Sequence, residues 1–224
     1  MSEASELDEI AREIRSCTKC RLHMNRTNAV PGEGNPKAEV MFIGEAPGEN
    51  EDLQGRPFVG AAGKVLTEAI ENFLGLKRSD VFITNVVKCR PPNNRDPQDD
   101  EILACSSYLD RQIQTIKPKV IVTLGRHSTR YIMEKIGKQF RSILAERGKP
   151  IKADLGYGEV VILPTLHPAA GLYNPNLRKY FEEDFRTLAG LLGRDKDKDK
   201  RPSIFDFLNG PRARGKEGNS NVLK

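Results

Sequence analysis

Four cysteines divide into a close pair and a distant pair. Cys17 and Cys20 form a C-x-x-C knuckle, whereas Cys89 and Cys105 are separated by fifteen residues and come from another region. A C-x-x-C knuckle can chelate one metal centre, and all four thiolates complete a four-cysteine ligand set with none left over. Zinc and a [4Fe–4S] cluster both accept that set, and two unrelated pairs of buried thiols is the alternative. Zinc ribbons usually join two short knuckles, and the second pair here is not short, which tilts the spacing toward iron–sulfur. Three other segments concentrate polar side chains. One runs Gly44-Glu45-Ala46-Pro47-Gly48 through Glu51-Asp52 to Phe58 and Gly60. The second is Thr84-Asn85 followed by Lys88-Cys89-Arg90 and Asn93-Asn94-Arg95, and the third is His167-Pro-Ala-Ala170. Carboxylates, an amide and an imidazole are the side chains that move protons or grip a polar ligand.

These segments need a frame that brings them together. Four apolar runs, Val40 to Ile43, Val81 to Val87, Val120 to Leu124 and Val160 to Leu163, are continuous rather than alternating, as in strands buried on both faces. Stretches of helical period cover about Glu6 to Ser16, Gly63 to Phe73, Asp99 to Ile116, Ser128 to Ile136 and Leu177 to Leu192. Strands alternating with helices predict an α/β fold, a parallel sheet with right-handed crossovers and helices on both sides. In such a sheet the ligand lies beyond the carboxyl ends of the strands. The polar segments all lie at or after strand ends.

Composition limits the classes. The chain has 224 residues with 36 Lys+Arg against 31 Asp+Glu. Nine basic and five acidic residues lie between Arg194 and Lys224, so the tail carries +4 and the first 193 residues only about +1. Nucleic-acid binding by the folded part would need a local basic face. No apolar run approaches the ~20 residues of a membrane span, and the acidic N-terminus is not signal-like, so a cytoplasmic protein is expected. Residues 1–193 are expected to fold as one domain, with 194–224 a charged flexible tail.

The motifs G-E-A-P-G-x-x-E-D, T-N-V-V-K-C-R-P-P-N-N-R and H-P-A-A, with cysteines spaced as above, resemble the family 4 uracil-DNA glycosylases, the thermostable iron–sulfur branch. The similarity runs from about Ile14 to Leu192. It implies a three-layer αβα fold around a four-stranded parallel sheet, a [4Fe–4S] cluster on Cys17, Cys20, Cys89 and Cys105, and removal of uracil without a covalent intermediate.

The chemistry can be weighed residue by residue. Breaking the N-glycosidic bond puts negative charge on the departing uracil, concentrated at O2, and a fixed donor there is worth ~3–4 kcal/mol. His167 resembles the family histidine in that role, whereas His23 and His127 read as structural. The Asn85 carbonyl can accept from uracil N3–H while its NH2 donates to O4. Cytosine presents the opposite pattern, and neighbours are expected to hold the amide in one orientation. Phe58 offers a ring for stacking, and Gly44, Ala46 and Gly48 complete the expected base pocket. In family 1 enzymes G-Q-D-P-Y supplies a water-orienting aspartate and a thymine-excluding tyrosine. Here Ala46 and Gly48 stand at those positions, leaving Glu45 to position the water and Glu51 to stand near C5, with loop capping as the alternative for both. Leu172 and Tyr173 carry apolar groups able to fill the vacated stack, with core packing the alternative. Arg178 belongs to the same loop. Lys19, Arg21, Lys88, Arg90 and Arg95 flank the cysteines and are expected to reach phosphates.

Gly44 to Gly48 lacks the G-K-[ST] ending of a nucleotide-binding turn. In the tail, Ile204, Phe207 and Leu208 match the spacing of the sliding-clamp-binding box, although Arg201 replaces its usual Gln; folding back onto the domain is the alternative. The expectation is a monomeric enzyme acting on uracil in single- or double-stranded DNA. Its rivals are a non-catalytic iron–sulfur DNA-damage-binding module and a zinc-stabilised nucleotide hydrolase or transferase.

Overall fold

The computed structural model describes residues 2–194 and 204–205. Its six strands are β1 (Glu33–Gly34), β2 (Val40–Gly44), β3 (Phe82–Asn85), β4 (Val120–Leu124), β5 (Ile151–Asp154) and β6 (Glu159–Thr165), in the order β1-β3-β2-β4-β6-β5. The four central strands are parallel, as the apolar runs predict, and both edge strands pair antiparallel. The four-stranded expectation therefore holds for the centre and is corrected at the edges. A two-residue strand is too short to show a pattern, and β5 reads I-K-A-D at a partly exposed edge.

The helices are α1 (Glu3–Ser16), α2 (Glu49–Gln54), α3 (Ala61–Ala69), α4 (Asp99–Ile116), α5 (Arg126–Lys135), α6 (Ile143–Glu146), α7 (Ala170–Tyr173) and α8 (Arg178–Leu191). Alternate residues of each central strand feed opposite cores. Val40, Phe42, Val120 and Val122 pack with α3 and α8 through Leu66, Phe181 and Phe185. Met41, Ile43 and Ile121 pack with α1, α4 and α5 through Ile10, Ile113 and Ile132. This is why the runs are apolar without alternation: both faces are covered. The periodic stretch expected to run to Phe73 closes as a single π-helical turn, Ile70–Leu74.

Strand ends place the chemistry. The polar segments lie at the ends of β2, β3 and β6, and the parallel pairing puts Gly44 beside Asn85. The loop after β2 hides the short α2, which sequence reasoning missed because E-N-E-D-L-Q has no apolar stripe. Among the described residues no helix is long and apolar enough to cross a membrane. Phe207 and Leu208 lie outside the described residues, as does most of the expected tail. Ile204 and Phe205 are described and buried against the domain.

Candidate active site

A cavity of about 430 Å³ opens at the carboxyl edge of the sheet, lined by Glu45, Ala46, Gly48, Glu51, Phe58, Asn85, Asn94, Arg95, His167 and Tyr173 among others. The three residues expected to surround one base thus share one wall. The Phe58 and His167 rings are 5.7 Å apart between centroids and inclined by 31°. A Cβ on Gly44 would collide with Asn85 Oδ1 and stand 2.6 Å from the Phe58 ring, so only glycine lets these groups close over the strand.

Phe58 holds a left-handed backbone, φ 49°. A bulky residue there is strained, and such strain persists only where the surroundings over-determine it. The Glu51 carboxylate is one such restraint: its Oε1 accepts from Val59 N–H at 2.8 Å and Gly60 N–H at 2.9 Å. Its other oxygen faces Gly48. Glu51 therefore does hold the loop, while still lining the pocket. Asp52 ties the same loop to Thr27 and Asn28 through their backbone N–H groups.

Asn85 is 2% exposed, and its Oδ1 is a buried oxygen without a hydrogen-bond partner. Such an acceptor costs ~1–3 kcal/mol unless something else satisfies it. Neighbours are expected to hold the amide in one orientation, and among the described residues no side-chain hydrogen bond does so. What confines it is the packing against Gly44.

His167 follows β6. Its Nδ1 accepts from the Ala169 N–H at 3.2 Å, which leaves the ring proton on Nε2. Burial pulls its pKa down to about 4, against a smaller opposing pull from Glu51. The imidazole is neutral at pH 7 and presents an N–H rather than a charge.

Glu45 differs from the other carboxylates. Burial, with Asp96 nearby, lifts its pKa to about 7, only partly opposed by Arg126. His127 Nε2 lies 3.6 Å from Glu45 and 3.4 Å from Asp96, so the histidine expected to be structural borders a pocket carboxylate. Donor atoms of Glu45, Asp96 and His127 lie within 4.8 Å of one another. The Arg126 guanidinium bonds both Asp96 and His127, which marks a charge network rather than a cation site. Asn94, which also lines the pocket, was missed by sequence reasoning. Its signal was the Pro-Pro-Asn-Asn turn: Asn93 and Asn94 both have positive φ, and Arg90 Nε donates to Asn94 Oδ1 at 2.7 Å.

The cations are less free than expected. Lys88 is a correction: it is 1% exposed and cannot reach phosphate. Arg95 grips the buried Glu101 with both terminal nitrogens, and Arg21 pairs with Asp100. Arg178 donates to the Gly171 carbonyl and lies over the Phe205 ring, so it braces its loop. Leu172 packs toward the core, whereas Tyr173 is 88% exposed at the pocket mouth.

The four cysteines line one cavity with Lys19, His23, Arg26 and Tyr108, and all are free thiols. Donors converge on the sulfurs: Arg26 to Cys89 at 3.0 Å, and the backbone N–H of Lys88 to Cys105 and of Lys19 to Cys17 at 3.2 and 3.5 Å. Burial pushes the Cys105 thiol up to about 11. Four sulfurs around one cavity, three of them supplied with donors, fit a thiolate-bound metal centre better than isolated core thiols.

The sequence matches the family model for the Uracil DNA glycosylase superfamily over residues 31–189. It is 62% identical over 204 residues to a type-4 uracil-DNA glycosylase of Sulfurisphaera tokodaii, covering 91% of each chain. It is 57% identical to that of Saccharolobus solfataricus, covering 97% of this chain and 99% of the relative. The protein of the same name from Archaeoglobus fulgidus is 50% identical, over 90% of this chain and 98% of that one. A pocket walled by Asn85, Phe58 and His167 on a parallel sheet, and likeness along nearly the whole folded chain, agree: the chain belongs to the uracil DNA glycosylase superfamily.

Proposed function

We propose that this chain excises uracil from DNA by hydrolysing the N-glycosidic bond of an extruded nucleotide. The observation that carries the reading is the orphaned Asn85 Oδ1, a buried acceptor without a partner on a residue that lines one cavity with Phe58 and His167. Uracil N3–H would satisfy it. Cytosine N3 is itself an acceptor and would leave two acceptors facing each other, a mismatch worth orders of magnitude.

In this reading the base stacks on Phe58, and Asn85 reads N3–H and O4. The neutral His167 donates from Nε2 to O2 as charge develops there. A neutral donor suits the task because its proton is already placed and no charge must be buried beforehand. Glu45, with a pKa near 7, takes a proton from the attacking water once deprotonated. Glu51 and Gly48 line the wall assigned to the C5 edge, where a methyl would crowd the carboxylate. Tyr173 is the exposed side chain best placed to enter the vacated stack, while Arg90 and Arg95 border the strand's approach from positions fixed by Asn94 and Glu101.

Cys17, Cys20, Cys89 and Cys105 would hold a [4Fe–4S] cluster. When bound it supplies a rigid crosslink between the start of the chain, the loop after β3 and α4; hydrolysis needs no electron. Iron–sulfur absorbance in the visible region separates it from zinc.

The test is incubation with a uracil-containing oligonucleotide followed by alkali. Strand cleavage that appears only after alkali, with free uracil released, is the expected result. Tight binding without release would favour a damage-binding module, and nucleotide turnover without DNA would favour a zinc-stabilised nucleotide hydrolase or transferase.

A further inference from the structure

Lys88 is the only lysine or arginine that is fully buried among the described residues. Burying an ammonium costs several kcal/mol unless its donors are met. Here they are. Nζ donates to Thr84 Oγ1 at 2.6 Å, to the Asn85 carbonyl at 2.7 Å and to Gln112 Oε1 at 2.7 Å, three acceptors for three N–H bonds.

The main chain of the same residue faces the other way. Its N–H donates to Cys105 Sγ at 3.2 Å, its carbonyl accepts from Val30 N–H at 2.7 Å, and Cys89 follows it in sequence. One residue is therefore fastened to the sulfur cavity by its backbone and to the end of β3 by its side chain. Asn85 needs such an anchor. Its side-chain amide has no hydrogen-bonded lock, so the position of Oδ1 depends on where the backbone of residue 85 sits. On one side that backbone is set by the pairing with Gly44. At its own carbonyl it is set by Lys88.

The network extends behind the strand. Gln112 on α4 donates to the Pro31 carbonyl at 2.7 Å, and Thr84 Oγ1 donates to the same oxygen at 3.1 Å. An apolar side chain of similar length would fill this volume without the desolvation cost. It could not clamp the Asn85 carbonyl, the last of β3 before the chain turns toward Cys89.

We propose that Lys88 is a positioning residue for base recognition, which fixes the Asn85 backbone from the cysteine cradle so that Oδ1 meets the base at one place. The proposal rests on the excision reading above. It assigns the cradle a consequence for specificity beyond stability, carried through one side chain.

The test uses the metal-loaded protein. Lys88→Met keeps the stem and removes the ammonium. The single-turnover rate on uracil-containing DNA should fall ~10–100-fold, the scale expected when a recognition group is displaced by a fraction of an ångström to an ångström. Inhibition by free uracil should weaken in parallel, with affinity for DNA bearing an abasic site and the visible absorbance both unchanged. A variant that is less stable or poorly loaded, yet excises at the wild-type rate per loaded molecule and keeps wild-type inhibition by uracil, would overturn the proposal. Should Lys88→Met fail to fold, Gln112→Met and Thr84→Val each remove one acceptor away from the sulfurs. Each should lower the rate ~3–10-fold in the same pattern, and wild-type rates in both would reject the idea. Failure of the wild type to release any uracil would instead defeat the excision reading, and uracil binding by wild type and Lys88→Met would still decide the role of Lys88.

Discussion

The base pocket and the cysteine cavity lie on one short stretch of chain, with Asn85 in the first and Cys89 in the second, yet they treat their polar atoms in opposite ways. In the cysteine cavity the donors are already aimed at the sulfurs, from Arg26 and from two backbone N–H groups. In the pocket the Asn85 oxygen is left without a partner, and among the described residues His167 Nε2 has no hydrogen bond either. A site for a permanent guest can be completed during folding. A site for a transient guest must keep its hydrogen bonds unmade until the guest arrives, and the strand frame carries that cost. Damage to the first should therefore read out as stability, and damage to the second as rate.

The largest effect expected tests the cavity. Cys105→Ser should abolish visible absorbance and lower unfolding free energy by on the order of 5 kcal/mol, because site energy is folding energy. Denaturant titration beside the spectrum checks this, and unchanged stability would erase the distinction between the two regions. Next comes His167→Ala, expected to slow single-turnover excision ~10²–10³-fold with little change in stability or DNA affinity. Gly44→Ala should blur the boundary, since its methyl would press on Asn85 and Phe58 from within β2. Overpacking of this kind costs about 1–3 kcal/mol of stability, and the rate should fall ~10-fold or more; thermal melts and single-turnover assays on the same preparation measure both.

The smallest effect is a pH profile. Glu45 accepts a proton only when ionised, so the rate should climb as pH rises through about 7, while His167 stays neutral down to about 4. Glu45→Gln should flatten that climb and lower the plateau ~10-fold. Stability runs the other way. The folded carboxyl holds its proton above its ordinary value of 4.5, so its contribution is complete below that value and is lost as pH rises through about 7. A rate profile that climbs unchanged in Glu45→Gln would assign water activation to another group.

Much of this was legible because buried parallel strands announce themselves by continuous apolar runs, and ligands gather at their carboxyl ends. The cysteine grouping followed from spacing, and Asn85, Phe58 and His167 from the family resemblance that their motifs carry. What the sequence hid was partnership. Lys88 looked like one more cation near the cysteines, and only three-dimensional neighbours reveal that its charge is consumed inside. Arg95 and Arg178 look free in one dimension and are held by Glu101 and the Gly171 carbonyl. His127 seemed incidental because its link to Glu45 joins the ends of β2 and β4, which are neighbours in the sheet but far apart in sequence. Short edge strands and α2 left too few residues to establish a period.

At the far end of the described chain, Ile204 donates its N–H to Glu182, and Phe205 lies edge-on to Phe181, against Gly171 and under Arg178. The segment bearing Tyr173 thus rests on a plug from the C-terminal region. Without Phe205, Phe181 would lose its edge-on ring and Arg178 the face it lies over, so the last described residues help to hold the rim beside the pocket.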